Sequence, residues 1–185
     1  QESLIERARA GARDGKYVLN IDVYSQVFDV PRLTSESELI VHGRIDGDIQ
    51  MLSPDSRTVI TEYDVIPIKL FKNLTPPGSY PPGVPLKVWM PYGTVRLDDV
   101  EITINSNDFP AHECLRSGEE AVLFLTTEET DVTRLRLTGG ASGAFRVSNG
   151  KVRAMTRDTA KRRGDSANIP LASFNAQIEK ALAQR

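Results

Sequence analysis

Two strand-like patterns, SELIVHGRI (37–45) and RTVITEYDVIPIKLFK (57–72), lie between Ser37 and Lys72 and give the clearest indication of the fold. In the longer pattern the apolar residues fall on odd positions as far as Val65 and on even positions after it. A strand that changes phase in this way has bulged or bent. We therefore expect a bulge at Ile66–Pro67, with both halves turning their apolar side to the same core, as in the long bent strands of small barrels.

Further strand patterns lie on both sides of this stretch, and turns rather than helical crossovers separate them. The segment from Asp46 to Arg57 is predicted to be a connecting turn, and NLTPPGSYPPGV (73–84) is predicted to be an exposed loop because proline removes the donors that a sheet needs. The remaining strand patterns are KYVLNIDVY (16–24), LKVWM (86–90), VRL (95–97), VEITI (100–104), EAVLFLTT (120–127) and AFRVSNGKVRAM (144–155).

The last of these patterns is the clearest hairpin, because Asn149-Gly150 favours a type I′ turn. A two-residue turn places Val147 opposite Val152 on a core face. The same register predicts a wet face, which carries Arg146, Ser148, Lys151 and Arg153.

Helical patterns stand at the two ends of the chain. SLIERARAGAR (3–13) has apolar residues at roughly helical spacing, and PLASFNAQIEKAL (170–182) carries an apolar stripe after an early proline. The predicted fold class is mainly β, an antiparallel barrel like the oligonucleotide/oligosaccharide-binding (OB) fold, with a short N-terminal helix and a C-terminal amphipathic helix. Its expected divisions are a helix and lead-in strand (1–35), the barrel (36–156), and a linker with a C-terminal helix packed on the barrel (157–185).

Composition sets broad limits on function. The 185 residues carry a formal net charge of −2 with both signs scattered along the chain, which disfavours nucleic acid as a partner. A single cysteine, Cys114, excludes an internal disulfide, and no apolar run is long enough to span a bilayer. No signal-peptide core is present, and the start at Gln1 slightly favours a mature exported chain, periplasmic or extracellular, over a trimmed one.

Taken in order, the motifs resemble a group of exported bacterial proteins without assigned activity. The resemblance covers about Glu36 to Leu182 and implies an OB-like barrel, similar in outline to netrin and tissue-metalloproteinase-inhibitor (TIMP) modules. Such inhibitors act through a cysteine-rich N-terminus, which Gln1 and the distant Cys114 do not reproduce. Related sequences tend to carry paired glycines where this chain has Tyr92-Gly93. The motifs are SELIVHGRI, VITEYDVIPIKLFKN, PLKVWMPYG, SGEEAVLFLT, GAFRVSNGKV and PLASFNAQIEKAL.

Candidate catalytic residues are few. His42 lies in mid-strand beside Arg44 and is predicted to be solvated. Asp108, His112 and Cys114 would be orienting carboxylate, base and nucleophile if the chain were a hydrolase, or ligands if it held a metal. Their spacing gives no ready-made dyad in a strand or a helix, so we expect no metal and no cofactor, with Cys114 buried as a small apolar residue.

The favoured hypothesis is therefore an exported, non-enzymatic binding or interaction module whose partner is a protein or an envelope component. The aromatic residues Trp89, Tyr92 and Tyr63 are the predicted contact groups. A hydrolase or metal enzyme centred on Asp108, His112 and Cys114 is one alternative. A binder of single-stranded nucleic acid or oligosaccharide, suggested by barrel shape alone, is the other. A basic run could contact phosphate or an acidic protein, but a solvated linker is the favoured prediction. The run consists of Arg153, Arg157, Lys161, Arg162 and Arg163.

Overall fold

The computed structural model describes residues 2–22, 25–81, 83–128, 131–164 and 168–184, so Gln1 lies outside the described part. The helices are α1 (Leu4–Gly11), α2 (Val30–Glu36), α3 (Arg157–Arg163) and α4 (Leu171–Ala183). The strands are β1 (Lys16–Ile21), β2 (Leu39–Leu52), β3 (Val59–Asn73), β4 (Leu86–Met90), β5 (Gly93–Arg96), β6 (Glu101–Ser106), β7 (Glu120–Glu128), β8 (Asp131–Leu137), β9 (Ala144–Ser148), β10 (Lys151–Ala154) and β11 (Ile169–Pro170).

Five strands close into a ring in the order β2-β3-β4-β8-β7, because β7 pairs with both β2 and β8. The neighbours run antiparallel except for β4 and β8, which are parallel. This strand order is OB-like and confirms the predicted fold class, although the expectation of a wholly antiparallel sheet is wrong at that one junction. Strand β8 lies between β7 and β4 and runs antiparallel to β7, which makes it parallel to β4.

The interior of the ring is the main hydrophobic core. Alternate residues of all five strands contribute to it, which is what a strand does when one face lines a closed sheet. Tyr80 of the proline-rich loop packs against the same core. The interior strand residues are Leu39, Val41, Ile45, Tyr63, Val65, Leu86, Val88, Met90, Ala121, Leu123, Leu125, Leu135 and Leu137.

The expected irregularity in β3 is present, displaced by one residue. Gly43 pairs with Pro67 and His42 with Lys69, so Ile68 has no partner in the ladder. The two halves do not share a core, however, because Ile68 is 54% exposed and Leu70 is 51% exposed. The reason is that β4 pairs with β3 only as far as Val65. Beyond that residue no described strand covers the second edge of β3.

A second core covers the outer face of β2, β7, β9 and β10. Helices α2 and α4 lie on this face, with Leu33 and Phe174 among the buried contacts. The predicted solvated position of His42 is therefore wrong. Its side chain is buried, and Nε2 lies 3.0 Å from Oε2 of Glu120. Alternation predicted the correct face for His42, but it contains no information about the helices that cover that face.

The N-terminal helix and strand join a separate three-stranded sheet in the order β1-β6-β5. Strand β1 runs parallel to β6, and Leu4 and Ala8 of α1 pack on Ile102 and Ile104 of that strand. The predicted turn over Asp46–Arg57 is too long, since β2 continues to Leu52 and its ladder with β3 extends to Val59. The ladder continues through Gly47 and Asp48 despite their low strand propensity.

Helix α3 occupies part of the segment predicted to be a linker. Thr156 caps its start by accepting a hydrogen bond from the Thr159 amide, and Gly164 ends it in the left-handed conformation. Arg163 donates to the carbonyl oxygens of Phe28 and Ser142, which fastens α3 to two other segments. In the part of the chain that the structure describes, no helix combines the length and apolar character needed to cross a membrane.

Candidate functional site

The β9–β10 hairpin presents a charged face in a fixed position. Asn149 and Gly150 both have positive φ, as a type I′ turn requires, and Val147 pairs with Val152 as predicted. Phe145 on the opposite face packs on Phe174 of α4, with ring centroids 4.6 Å apart. Burial of this apolar face turns Ser148, Lys151 and Arg153 toward solvent. The prediction that Arg146 is solvated on the same face is wrong, because only 12% of its side chain is exposed.

A cleft of about 630 Å³ lies beside this hairpin, and residues from both of its faces line the cleft. We call it the hairpin cleft. Its lining includes four cationic side chains, Arg146, Lys151, Arg153 and Arg157, and one carboxylate, Glu113. The other described lining residues are His112, Phe145, Val152, Ala154, Met155, Thr156, Ala160, Asn168, Ile169 and Phe174.

Two of the four cations are held by the protein itself. Arg146 donates to the carbonyl oxygens of Glu113 and Cys114 at 3.2 and 3.0 Å, and its Nε lies 3.2 Å from Oε1 of Glu119. Arg157 forms an ion pair of 3.2 Å with Glu113, and its backbone amide donates to the same carboxylate at 2.7 Å. Glu113 thereby joins the loop before β7 to the first turn of α3.

The other two cations have no such partner. Lys151 and Arg153 are exposed on successive outward positions of β10, and no acidic side chain among the described residues forms an ion pair with either of them. Arg153 also lies directly opposite Arg146 in the hairpin ladder. Like charges facing each other across a sheet are unfavourable. Glu119 and Glu120 line a neighbouring hollow with Arg153 but lie against Arg146 and His42, so the positive charge without an ion pair is that of Lys151 and Arg153.

The hollow continues beyond the cleft along the hairpin. A neighbouring hollow of about 360 Å³ shares Lys151, Arg153 and Asn168 with the cleft, and Asn149 borders it. The side chains of Asn149 and Asn168 are exposed and offer both donors and acceptors. A ligand along β10 therefore meets positive charge and uncharged polar groups in turn.

The predicted contact residues lie elsewhere. Tyr63 and Tyr92 are buried inside the ring, where their hydroxyl groups hydrogen-bond to each other and Tyr63 donates to the Leu115 carbonyl oxygen at 3.1 Å. Burial raises the pKa of both phenols. Trp89 is half-buried on the outer face of β4, opposite Glu62. Neither tyrosine is accessible to a partner in this structure.

The three residues of the enzymatic alternative do not converge. Cys114 is buried in the ring core, while the His112 side chain is 74% exposed beside Glu113. Asp108 is buried and accepts a hydrogen bond from the Ala141 amide at 3.3 Å. Burial raises the pKa of Cys114 to about 12, which opposes thiolate formation. Among the described residues no group of three or more His, Cys, Asp or Glu side chains is placed to hold a metal.

The sequence pattern predicts the register of the β9–β10 hairpin. It does not predict which positive charges of the cleft are left without an ion pair. The pattern placed Lys151 and Arg153 together on a wet face. Which basic residues find acidic partners depends on Glu113 and Glu119, which are distant in sequence from their arginines. No protein-family model matches the chain, and no curated protein matches it. The resemblance to exported bacterial proteins stays a prediction.

Proposed function

We propose that this chain is a non-enzymatic binding module that holds an acidic segment of a partner protein in the hairpin cleft. The observation that carries the proposal is the exposed pair Lys151 and Arg153, neither of which forms an ion pair with an acidic side chain of the described residues. A local positive surface attracts negatively charged partners even when the net charge of the whole chain is near zero. Carboxylates of a partner would also relieve the repulsion between Arg153 and Arg146.

The lining favours a protein segment over single-stranded nucleic acid. Binding of nucleic acid without base pairing relies on exposed aromatic rings on which bases stack. Of the aromatic rings in the described lining, Phe145 and Phe174 are only 3% and 1% exposed, and the single exposed ring is the imidazole of His112. An acidic peptide needs only cations and hydrogen-bonding groups, which the cleft offers at its rim.

The geometry gives little support to catalysis by Asp108, His112 and Cys114. A nucleophile and its base must lie within hydrogen-bond reach, and here the thiol lies in the core while His112 is on the surface. Iodoacetamide labelling of the native chain at neutral pH separates the two functions. We expect slow labelling of Cys114 compared with the urea-unfolded chain, and equal rates would favour the enzyme.

Export and an envelope partner are part of this proposal, and the resemblance of the sequence motifs is their support. Trp89 remains a second candidate contact group. It lies beside Glu62, whose carboxylate is within 3.7 Å of Lys87 and 3.5 Å of Arg134. Because these charges already neutralise one another, the hairpin cleft is the better-supported surface.

The proposal is tested with fluorescein-labelled hexaglutamate and the complete chain at low ionic strength. The variant Lys151→Glu/Arg153→Glu is expected to weaken binding by about tenfold or more. The matched control is Arg7→Glu, which reverses an exposed charge on α1 outside the cleft and is expected to change binding by less than about twofold. Absence of binding to the wild-type chain, or equal binding by the double variant, would contradict the proposal.

A further inference from the structure

We infer that the partner segment is extended and carries acidic residues at every second position. This inference rests on the proposed function and specifies the pattern that the hairpin cleft recognises. Lys151 and Arg153 are two residues apart on one strand and point to the same face. Side chains at such positions repeat roughly every 6.6–6.8 Å. An extended chain lying along β10 has the same repeat, so its alternate carboxylates meet the two cations in register.

The free positive charge forms a line rather than a cluster. Each outward row of the hairpin holds one residue from β9 and one from β10, and the rows are Arg146 with Arg153 and Ser148 with Lys151. Arg146 is already bound to Glu119 and to two carbonyl oxygens, and Ser148 is uncharged. The cations left for a ligand therefore both belong to β10, one in each row.

The polar groups beside the two cations suit an extended chain. Unlike a helix, an extended segment leaves its backbone N–H and C=O groups in need of partners. The amide side chains of Asn149 and Asn168 supply both donors and acceptors at that position.

Three labelled peptides of identical composition, each with two Asp residues, test this inference. The acids are separated by one residue in the first peptide, adjacent in the second, and four positions apart in a helix-forming order in the third. The complete chain is expected to bind the first about tenfold more tightly than either isomer. Lys151→Glu is expected to abolish that preference, and Arg7→Glu to retain it.

The outcomes separate this inference from the proposed function. If all three peptides bind equally and the Lys151→Glu/Arg153→Glu variant still loses binding, the cleft recognises charge alone and the extended register is wrong. Tightest binding of the helix-forming peptide would also overturn the register. If none of the peptides binds, and hexaglutamate does not bind either, the proposed function itself fails.

Discussion

Arg153 lies directly across the β9–β10 ladder from Arg146, and of the two only Arg146 has an acidic partner within the described part of the chain. The arrangement places two guanidinium groups on neighbouring strands without a shared counter-ion. Direct pairs of like charge destabilise a sheet. This pair of like charges therefore lowers the stability of the hairpin at the position where the proposed ligand binds.

Replacing Arg153 with glutamate is expected to separate stability from binding. Arg153→Glu places a carboxylate opposite Arg146 and should raise the free energy of unfolding by about 0.5 kcal/mol while weakening the binding of hexaglutamate. Urea unfolding at low ionic strength measures the first effect. Loss of stability in this variant would show that Arg153 has a structural role that the ladder does not account for.

Gly43 is expected to be required by the close approach of β2 and β3. A Cβ atom at this position would lie 2.6 Å from Cγ1 of Val65 and 3.0 Å from the Ile66 carbonyl oxygen. Gly43→Ala should therefore lower the free energy of unfolding by about 1–3 kcal/mol. The control is Gly47→Ala on the same strand, where no atom lies within 4 Å of the added carbon. Similar free energies of unfolding for the two variants would argue against this close approach of β2 and β3.

The buried hydroxyl of Tyr63 is expected to contribute to stability. Tyr63→Phe leaves the Leu115 carbonyl oxygen and the Tyr92 hydroxyl without this partner inside the ring, and should cost about 1–3 kcal/mol in urea unfolding. Tyr17→Phe is the matched control, because that side chain is only half-buried and lies on the small sheet. If Tyr63→Phe leaves the free energy of unfolding unchanged, the Leu115 carbonyl oxygen and the Tyr92 hydroxyl form hydrogen bonds to water instead.

Alkaline solution is expected to destabilise the chain through Cys114. Its pKa rises from the ordinary 9.0 to about 12 in the folded state, chiefly through burial. Above about pH 9 the unfolded chain loses this proton while the folded chain keeps it, so the free energy of unfolding falls as pH rises. Between about pH 8 and pH 10 the wild type should lose about 1 kcal/mol more than Cys114→Ala. Parallel curves would show that the thiol ionises equally in both states.

The sequence predicted the strands of the ring better than the helices and neighbouring strands that cover them. Alternation located β2, β4 and the β9–β10 hairpin, although β2 is buried on both faces from Leu39 to Gly43, between the ring core and the second core. It did not reveal α2, whose seven residues are too few to show helical periodicity. It misjudged His42 and Leu70, because burial there depends on whether a helix or a neighbouring strand covers the position. These partners are fixed by the tertiary structure and leave no local pattern.

The site was less predictable than the fold for the same reason. The wet face of the hairpin follows from the turn residues, but the excess of charge follows from long-range pairs. Arg146 is neutralised by Glu119 and Arg157 by Glu113, and neither pair is visible as a motif. Aromatic residues suggested contact positions that are buried or half-buried. The candidate site lies instead where cationic side chains form no ion pair within the described part of the chain.

The most direct test of binding along β10 is a titration of the uniformly ¹⁵N-labelled complete chain with hexaglutamate, followed through amide chemical shifts. Binding along β10 should give the largest shifts at Lys151, Arg153 and Arg157, with little change at Trp89 and at Arg7. Shifts centred on Trp89, or no shifts in the hairpin at peptide concentrations that saturate binding, would contradict it.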